Sequence, residues 1–246
     1  MQVVYGINPL LELLLSQPAM LEKLVMAEGR GGEPVRKILR LAREQGIPVE
    51  FGGRAELERL APRRVHQGVV GLCRDHAYAG LDEIVANRHP RSPYHLIVLL
   101  DSVTDPQNLG SIIRTAHCFG ANGVIIPENR AASVTAAVAK ASAGAVHLLP
   151  TAMVTNLVRT IDELKERGFW IYGADADAPQ GICSPDYGRH VGLVMGSEGQ
   201  GIRPLIRKKC DFLISIPMRG RVASLNVSVA TGVILYEIVR SWGEGS

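Results

Sequence analysis

Leu96-Ile97-Val98-Leu99-Leu100-Asp101 is an unbroken apolar run that ends on a carboxylate, and how it is read decides the fold. A strand with one wet face alternates apolar and polar side chains, whereas a run with no polar interruption suits a strand covered on both faces by helices. The signal returns at Gly123-Val124-Ile125-Ile126, Phe169-Trp170-Ile171-Tyr172-Gly173, Val191-Gly192-Leu193-Val194-Met195 and Phe212-Leu213-Ile214-Ser215-Ile216. Helical stretches such as 108–119 and 156–167 lie between these runs. Residues 94–246 are therefore expected to form an α/β domain with a parallel sheet.

Upstream, residues 1–74 alternate shorter elements and predict a small separate α/β unit. Asn8-Pro9 opens a helix on Leu10, Leu11, Leu13 and Leu14, and residues 23–27, 49–51 and 68–73 read as strands. A basic helix is expected over 34–45, closed by Gly46, and a shorter one over 55–60. Arg88-His89-Pro90-Arg91-Ser92-Pro93 has no apolar periodicity, so residues 75–93 read as a linker.

The 246 residues are 46% hydrophobic and 21% charged, with a formal net charge of +3. That balance suits a soluble globular protein, and the mild positive charge permits an anionic partner without the density of a nucleic-acid-binding tail. Cys73, Cys118, Cys183 and Cys210 are scattered, with neither a CxxC pair nor histidines at zinc-ligand spacing, and are read as reduced thiols. No run approaches the ~18 apolar residues of a membrane span, and no cleavable leader opens the chain. A cytoplasmic protein without membrane or metal is expected.

In open α/β sheets ligands bind beyond the carboxyl ends of the strands, so the polar loops after the apolar runs carry the candidate chemistry. The first is Asp101-Ser102-Val103-Thr104-Asp105-Pro106-Gln107-Asn108-Leu109-Gly110, leading into a helix with Arg114. Asn108 reads either as a helix cap with Arg114 solvated, or as part of an anion site that the guanidinium reaches. The second, Gly196-Ser197-Glu198-Gly199-Gln200-Gly201, is either a tight turn or a close-approach loop around one acid, and it lacks the GxGxxG dinucleotide pattern. The third runs from Ile214 through Pro217-Met218-Arg219-Gly220-Arg221 to Ser224-Leu225-Asn226-Val227-Ser228, where a small-polar helix start with two nearby arginines makes a cradle for a polar ligand. No carboxylate pair or Ser-His-Asp order converges on these loops. His95, His117 and His147 read as structural. Arg63-Arg64-His66 and Arg203, Arg207, Lys208 and Lys209 are basic patches or solvated faces.

Together, residues 108–114, 196–201 and 217–226 resemble the three motifs of the SpoU class of RNA ribose 2′-O-methyltransferases, in the SPOUT superfamily. Val4-Tyr5-Gly6, His66-Gln67-Gly68, the 101–110 loop and the 224–228 segment extend the similarity over nearly the whole chain, toward members that methylate guanosine in 23S rRNA. The resemblance implies a trefoil-knotted α/β domain that binds S-adenosylmethionine, with Gly196, Ile216 and Leu225 at the cofactor. It implies that Asn108, Arg114, Glu198, Ser224 and Asn226 form the catalytic and RNA-facing set. It further implies a homodimer with the active site at the subunit interface, and an N-terminal domain similar to ribosomal protein L30e and L7Ae that presents the RNA. Ala223 stands where the class leads one to expect serine, and Arg219 and Arg221 make the loop more basic. The alternatives are a tRNA or other rRNA substrate, or an RNA-binding protein without catalysis.

Overall fold

The computed structural model describes residues 2–16, 18–90, 92–222 and 224–243, which fall into two compact units, Met1–Ala77 and Tyr78–Ser246. Ala223 lies outside the described residues.

The first unit runs β1 (Gln2–Tyr5), α1 (Ile7–Ser16), β2 (Leu21–Ala27), α2 (Glu33–Glu44), β3 (Val49–Gly52), α3 (Arg54–Leu60) and β4 (Val69–Cys73). Its sheet has the order β1-β4-β2-β3, antiparallel except for the parallel β2/β3 pair. α1 begins at Ile7, one residue before the Asn8-Pro9 start expected from sequence, and Gln67 supplies the cap in place of Asn8: its Oε1 accepts from the Ile7 amide at 3.0 Å. Gln67 holds this position with φ of 53°, beside Gly68 at 79°. On α2, Val35, Ile38, Leu41 and Ala42 are buried while Arg36, Lys37, Arg40 and Arg43 are exposed.

The second unit runs α4 (Leu81–Ala86), β5 (Leu96–Leu100), α5 (Pro106–Cys118), β6 (Gly123–Pro127), α6 (Ala136–Ala141), β7 (Thr151–Val154), α7 (Leu157–Glu166), β8 (Trp170–Ala174), β9 (Gln180–Gly181), β10 (Val191–Met195), α8 (Pro204–Arg207), β11 (Phe212–Ser215) and α9 (Val227–Ser241). Seven strands form one sheet, β7-β6-β5-β10-β8-β11-β9, in which every pairing is parallel. All five residues of β5 are wholly buried, as the unbroken apolar run requires.

The stretch 75–93 is more than a tether. α4 lies within it, and Ile84 is fully buried against Ile97, Leu99, Ile125, Ile161 and Ile171 in the core of the second unit. Six helical residues ahead of a proline- and arginine-rich stretch are too few to show a period in sequence.

α5 differs from expectation at its start. Asp105, not Asn108, is the N-cap: its carboxylate accepts from the Gln107 and Asn108 amides at 3.2 and 3.3 Å, and Pro106 fills the first helical position, where no N–H is needed. Asn108 thus sits inside the first turn with its side chain free for other work. Gly110 follows because α6 crosses α5 there; a Cβ would stand 2.5 Å from Ala141 Cβ and 2.7 Å from the Val138 oxygen.

Candidate active site

Strand order reverses between β5 and β10: the chain runs outward from β5 through β6 to β7, then returns on the other side of β10. The crevice at such a reversal is where an open parallel sheet exposes its strand ends to a ligand. The loops that leave β5 and β10 there are the first two of the three singled out in the sequence.

They are tied together by one carboxylate. Glu198 Oε1 accepts from Asn108 Nδ2 at 3.0 Å, from Asn226 Nδ2 at 2.5 Å and from the Val227 amide at 3.3 Å. Asn226 Nδ2 also reaches Asn108 Oδ1 at 2.9 Å. Asn226 is at the same time the N-cap of α9, its Oδ1 accepting from the amides of Ser228 and Val229 at 3.0 and 3.4 Å and from Ser228 Oγ at 2.6 Å. All three loops therefore meet on a single anionic oxygen, whose bonds from amide donors are of the stronger, charge-assisted kind.

The 196–201 loop is built to turn tightly. Ser197 and Gly201 form an antiparallel bridge, and Gly199 and Gly201 take φ of 88° and 64°, a region open to glycine. A Cβ on Gly196 would collide with the backbone of Gly201, so that position admits no side chain without moving the loop.

Beneath these loops lies a cavity of about 680 Å³ at the carboxyl ends of β8, β10 and β11. Gly196, Ile216 and Leu225 line it, as do Glu198 and Ser224. Arg114 does not; it is exposed on α5 and makes no hydrogen bond or ion pair with a described residue. Arg219 and Arg221 are likewise exposed.

Two lining residues escaped the sequence reading, Asp175 and Asp177, which follow β8. Burial pushes the Asp175 carboxyl up, but the Arg207 guanidinium and the Asp177 amide outweigh it, so the group is held below the usual carboxylate range. Their signal was available, since acids after an apolar strand mark a strand-end loop; Ala174-Asp175-Ala176-Asp177 lacks the glycines that drew attention elsewhere. The basic patch at 203–209 is largely neutralised: Arg203 pairs with Asp101, Arg207 with Asp175 and Lys209 with Asp162.

Residues 95–236 match the SpoU rRNA methylase family, and residues 3–79 match the RNA 2′-O ribose methyltransferase substrate-binding family. YacO of Bacillus subtilis, named as a TrmH-family tRNA/rRNA methyltransferase, is 43% identical over 96% of this chain and 94% of its own. The 23S rRNA (guanosine-2′-O-)-methyltransferase RlmB of Pseudomonas putida is 40% identical over 98% and 96%. Among solved structures, the SpoU methyltransferase AviRb of Streptomyces viridochromogenes in complex with AdoMet aligns over 99% of this chain and 91% of its own, with a TM-score of 0.65 and 26% identity. An AdoMet-bound rRNA methyltransferase of Sinorhizobium meliloti aligns over 99% and 88%, with a TM-score of 0.64 and 26% identity. With its three strand-end loops joined on Glu198 and both halves matched, the chain belongs to the SpoU rRNA methylase family.

Proposed function

We propose that this chain, as an S-adenosylmethionine-dependent RNA ribose 2′-O-methyltransferase, methylates a guanosine in the peptidyl-transferase region of 23S rRNA, acting in the cytoplasm as a homodimer. The observation that carries the reaction is the cavity under the three joined loops. Its lining offers backbone of the 196–201 loop, an apolar side from Met195, Ile216 and Leu225, and the acids Asp175 and Asp177. That donor set suits a ligand with a flat apolar ring, hydroxyls and a cationic end. Gly196, Ile216 and Leu225 are assigned to the cofactor, and the two acids to its polar groups.

Bound S-adenosylmethionine supplies a methyl group made electrophilic by its sulfonium. The chain has to bring a ribose hydroxyl into line and manage its proton, so positioning carries much of the acceleration. Glu198, held by two asparagines and an α9 amide, fixes the loops. Asn108, Ser224 and Asn226 are assigned to orient the nucleotide. A guanidinium offers donors and no acceptor, so the role of Arg114 is to hold a substrate phosphate and stabilise charge on the attacking oxygen, with phosphate or water taking the proton. Residues 1–74 are assigned to RNA presentation, supported by the substrate-binding match.

Support for the dimer comes from α9, where Val229, Val233 and Tyr236 recur at helical spacing and are 52%, 37% and 57% exposed. With Thr115, Phe119 and Gly232 they border an apolar hollow of about 600 Å³. The guanosine assignment rests on the Pseudomonas putida relative, and YacO's tRNA/rRNA name favours tRNA as the second reading.

Mapping 2′-O-methylated nucleotides by mass spectrometry, in total RNA from cells with and without this protein, tests the assignment. A methyl lost from a 23S guanosine supports it; loss from tRNA alone selects the second reading. Calorimetry that shows no S-adenosylmethionine binding would favour an RNA-binding protein without catalysis.

A further inference from the structure

The loop from Gly196 to Arg203 separates two cavities. Gly201 lines the one described above; Arg203 lines another, of about 1010 Å³, at the carboxyl ends of β6, β7 and β10. The family's three motifs leave this second cavity without an occupant, yet its chemistry is specific. Asp101, wholly buried at the end of β5, accepts from the Arg203 amide at 2.8 Å and from Arg203 Nε at 2.6 Å. One carboxylate thereby fixes both the backbone and the side chain of Arg203, while the terminal Nη groups hydrogen-bond to no described residue.

Arg130 lines the same cavity and is exposed, with φ of 64° and no hydrogen bond or ion pair to a described residue. A left-handed backbone at a non-glycine residue costs about 1 kcal/mol or more and points to a functional constraint when the side chain has no structural partner. Asn129 and the apolar side chains of Leu157, Val158 and Leu205 line the same cavity, and Leu205 is 70% exposed. The unpaired guanidinium of Arg130 and the unbonded Nη donors of the Asp101-paired Arg203, beside an apolar surface with an amide at its edge, match the parts of a nucleotide: phosphate, base face and base edge.

We propose that this cavity receives one nucleotide of the RNA strand next to the nucleotide that is methylated, its phosphate held by Arg130 and Arg203 and its base laid against Leu157, Val158 and Leu205. Asp101 is a positioning residue in this arrangement: it aims Arg203. The site rests on the RNA-methylating reading above and deepens it, because it gives the enzyme a hold on sequence or shape beside the reacting ribose. Both cavities share one loop, so a nucleotide in the second bears on the loop that lines the first.

The test uses the full chain with transcribed 23S rRNA carrying 4-thiouridine in place of part of its uridine. Near-ultraviolet cross-linking followed by peptide mass spectrometry identifies the protein segments that touch RNA bases. Methylation kinetics and S-adenosylmethionine calorimetry are run on wild type, Arg130→Asn and Leu205→Ser. Asparagine tolerates the left-handed backbone, and Leu205 is mostly outside the core, so both variants are expected to fold. The expected result is cross-linking to residues 127–130, 155–158 or 203–206, and a KM for RNA raised about tenfold in each variant, the worth of one charge-assisted or stacking contact, with cofactor affinity unchanged. A wild type that methylates RNA but cross-links nowhere in these segments, with both variants at wild-type KM, would overturn the proposal alone. A wild type that cross-links here but transfers no methyl group would keep the site and overturn the reaction.

Discussion

Asn226 donates a hydrogen bond to Asn108 at 2.9 Å across 118 residues of sequence, and both asparagines also donate to the same oxygen of Glu198. The N-cap of the last helix and the first turn of α5 are thus locked to the β10 loop by three side chains.

Residues in one network are non-additive, so a double-mutant cycle on Asn108→Ala and Glu198→Ala is expected to give a coupling on the order of 1 kcal/mol in S-adenosylmethionine binding. Asn226→Ala should cost more stability than Asn108→Ala by about 1 kcal/mol, because it also removes the α9 cap. Chemical denaturation of the three single variants and calorimetry of the cycle measure both.

Arg114 has no partner among the described residues, so replacing it should leave the fold intact. Under single-turnover conditions Arg114→Ala is expected to lose about a hundredfold or more in methyl transfer, the size of a lost charge-stabilising donor, with cofactor affinity retained. Arg114→Lys should recover part of the rate. Loss of cofactor binding in Arg114→Ala would move the residue to another role.

Tyr236 is 57% exposed and packs edge-on against Phe119 at 6.4 Å between ring centroids. If α9 carries the dimer contact, Tyr236→Glu buries a charge in an apolar interface, and sedimentation should shift from dimer to monomer without loss of helix content.

The second unit should weaken in mild acid. His95 and His190 lie 4.6 Å apart between ring centroids beside Phe169. Burial, with Arg88 adding repulsion, holds both imidazoles below their usual pKa; at His95 the neighbouring His190 contributes too. The unfolded chain therefore binds protons first, so stability is full well above pH ~6.5 and falls as pH drops through that value toward the folded pKa. Thermal denaturation should show a lower Tm at pH ~5.5 than at pH ~7.5. The slope should flatten in His190→Gln, a window above that in which Asp175 and Glu237 are protonated.

The parallel sheet was legible because burial on both faces leaves no polar residue in a strand, and Leu96 through Leu100 carry that mark unbroken. The α5 cap was not, because Asp105 and Asn108 are both good cap residues and only the position of Pro106 separates them. α4 was hidden by its length. At the candidate site the three loops could be named from their composition, but their convergence on Glu198 spans 90 residues in one direction and 28 in the other. Pairing at such distances is set by strand order, which local patterns do not encode. The Asp101–Arg203 pair was missed for the same reason, one partner just past β5 and the other capping α8, 102 residues apart.

The central claim is methyl transfer to a ribose hydroxyl, and reconstitution tests it most directly. Purified protein is incubated with methyl-labelled S-adenosylmethionine and ribosomal RNA from cells lacking the protein, and the product is digested to nucleosides. The account predicts label in 2′-O-methylguanosine from 23S rRNA, dependent on Arg114. Label on a base, or no label in RNA despite cofactor binding, would contradict it.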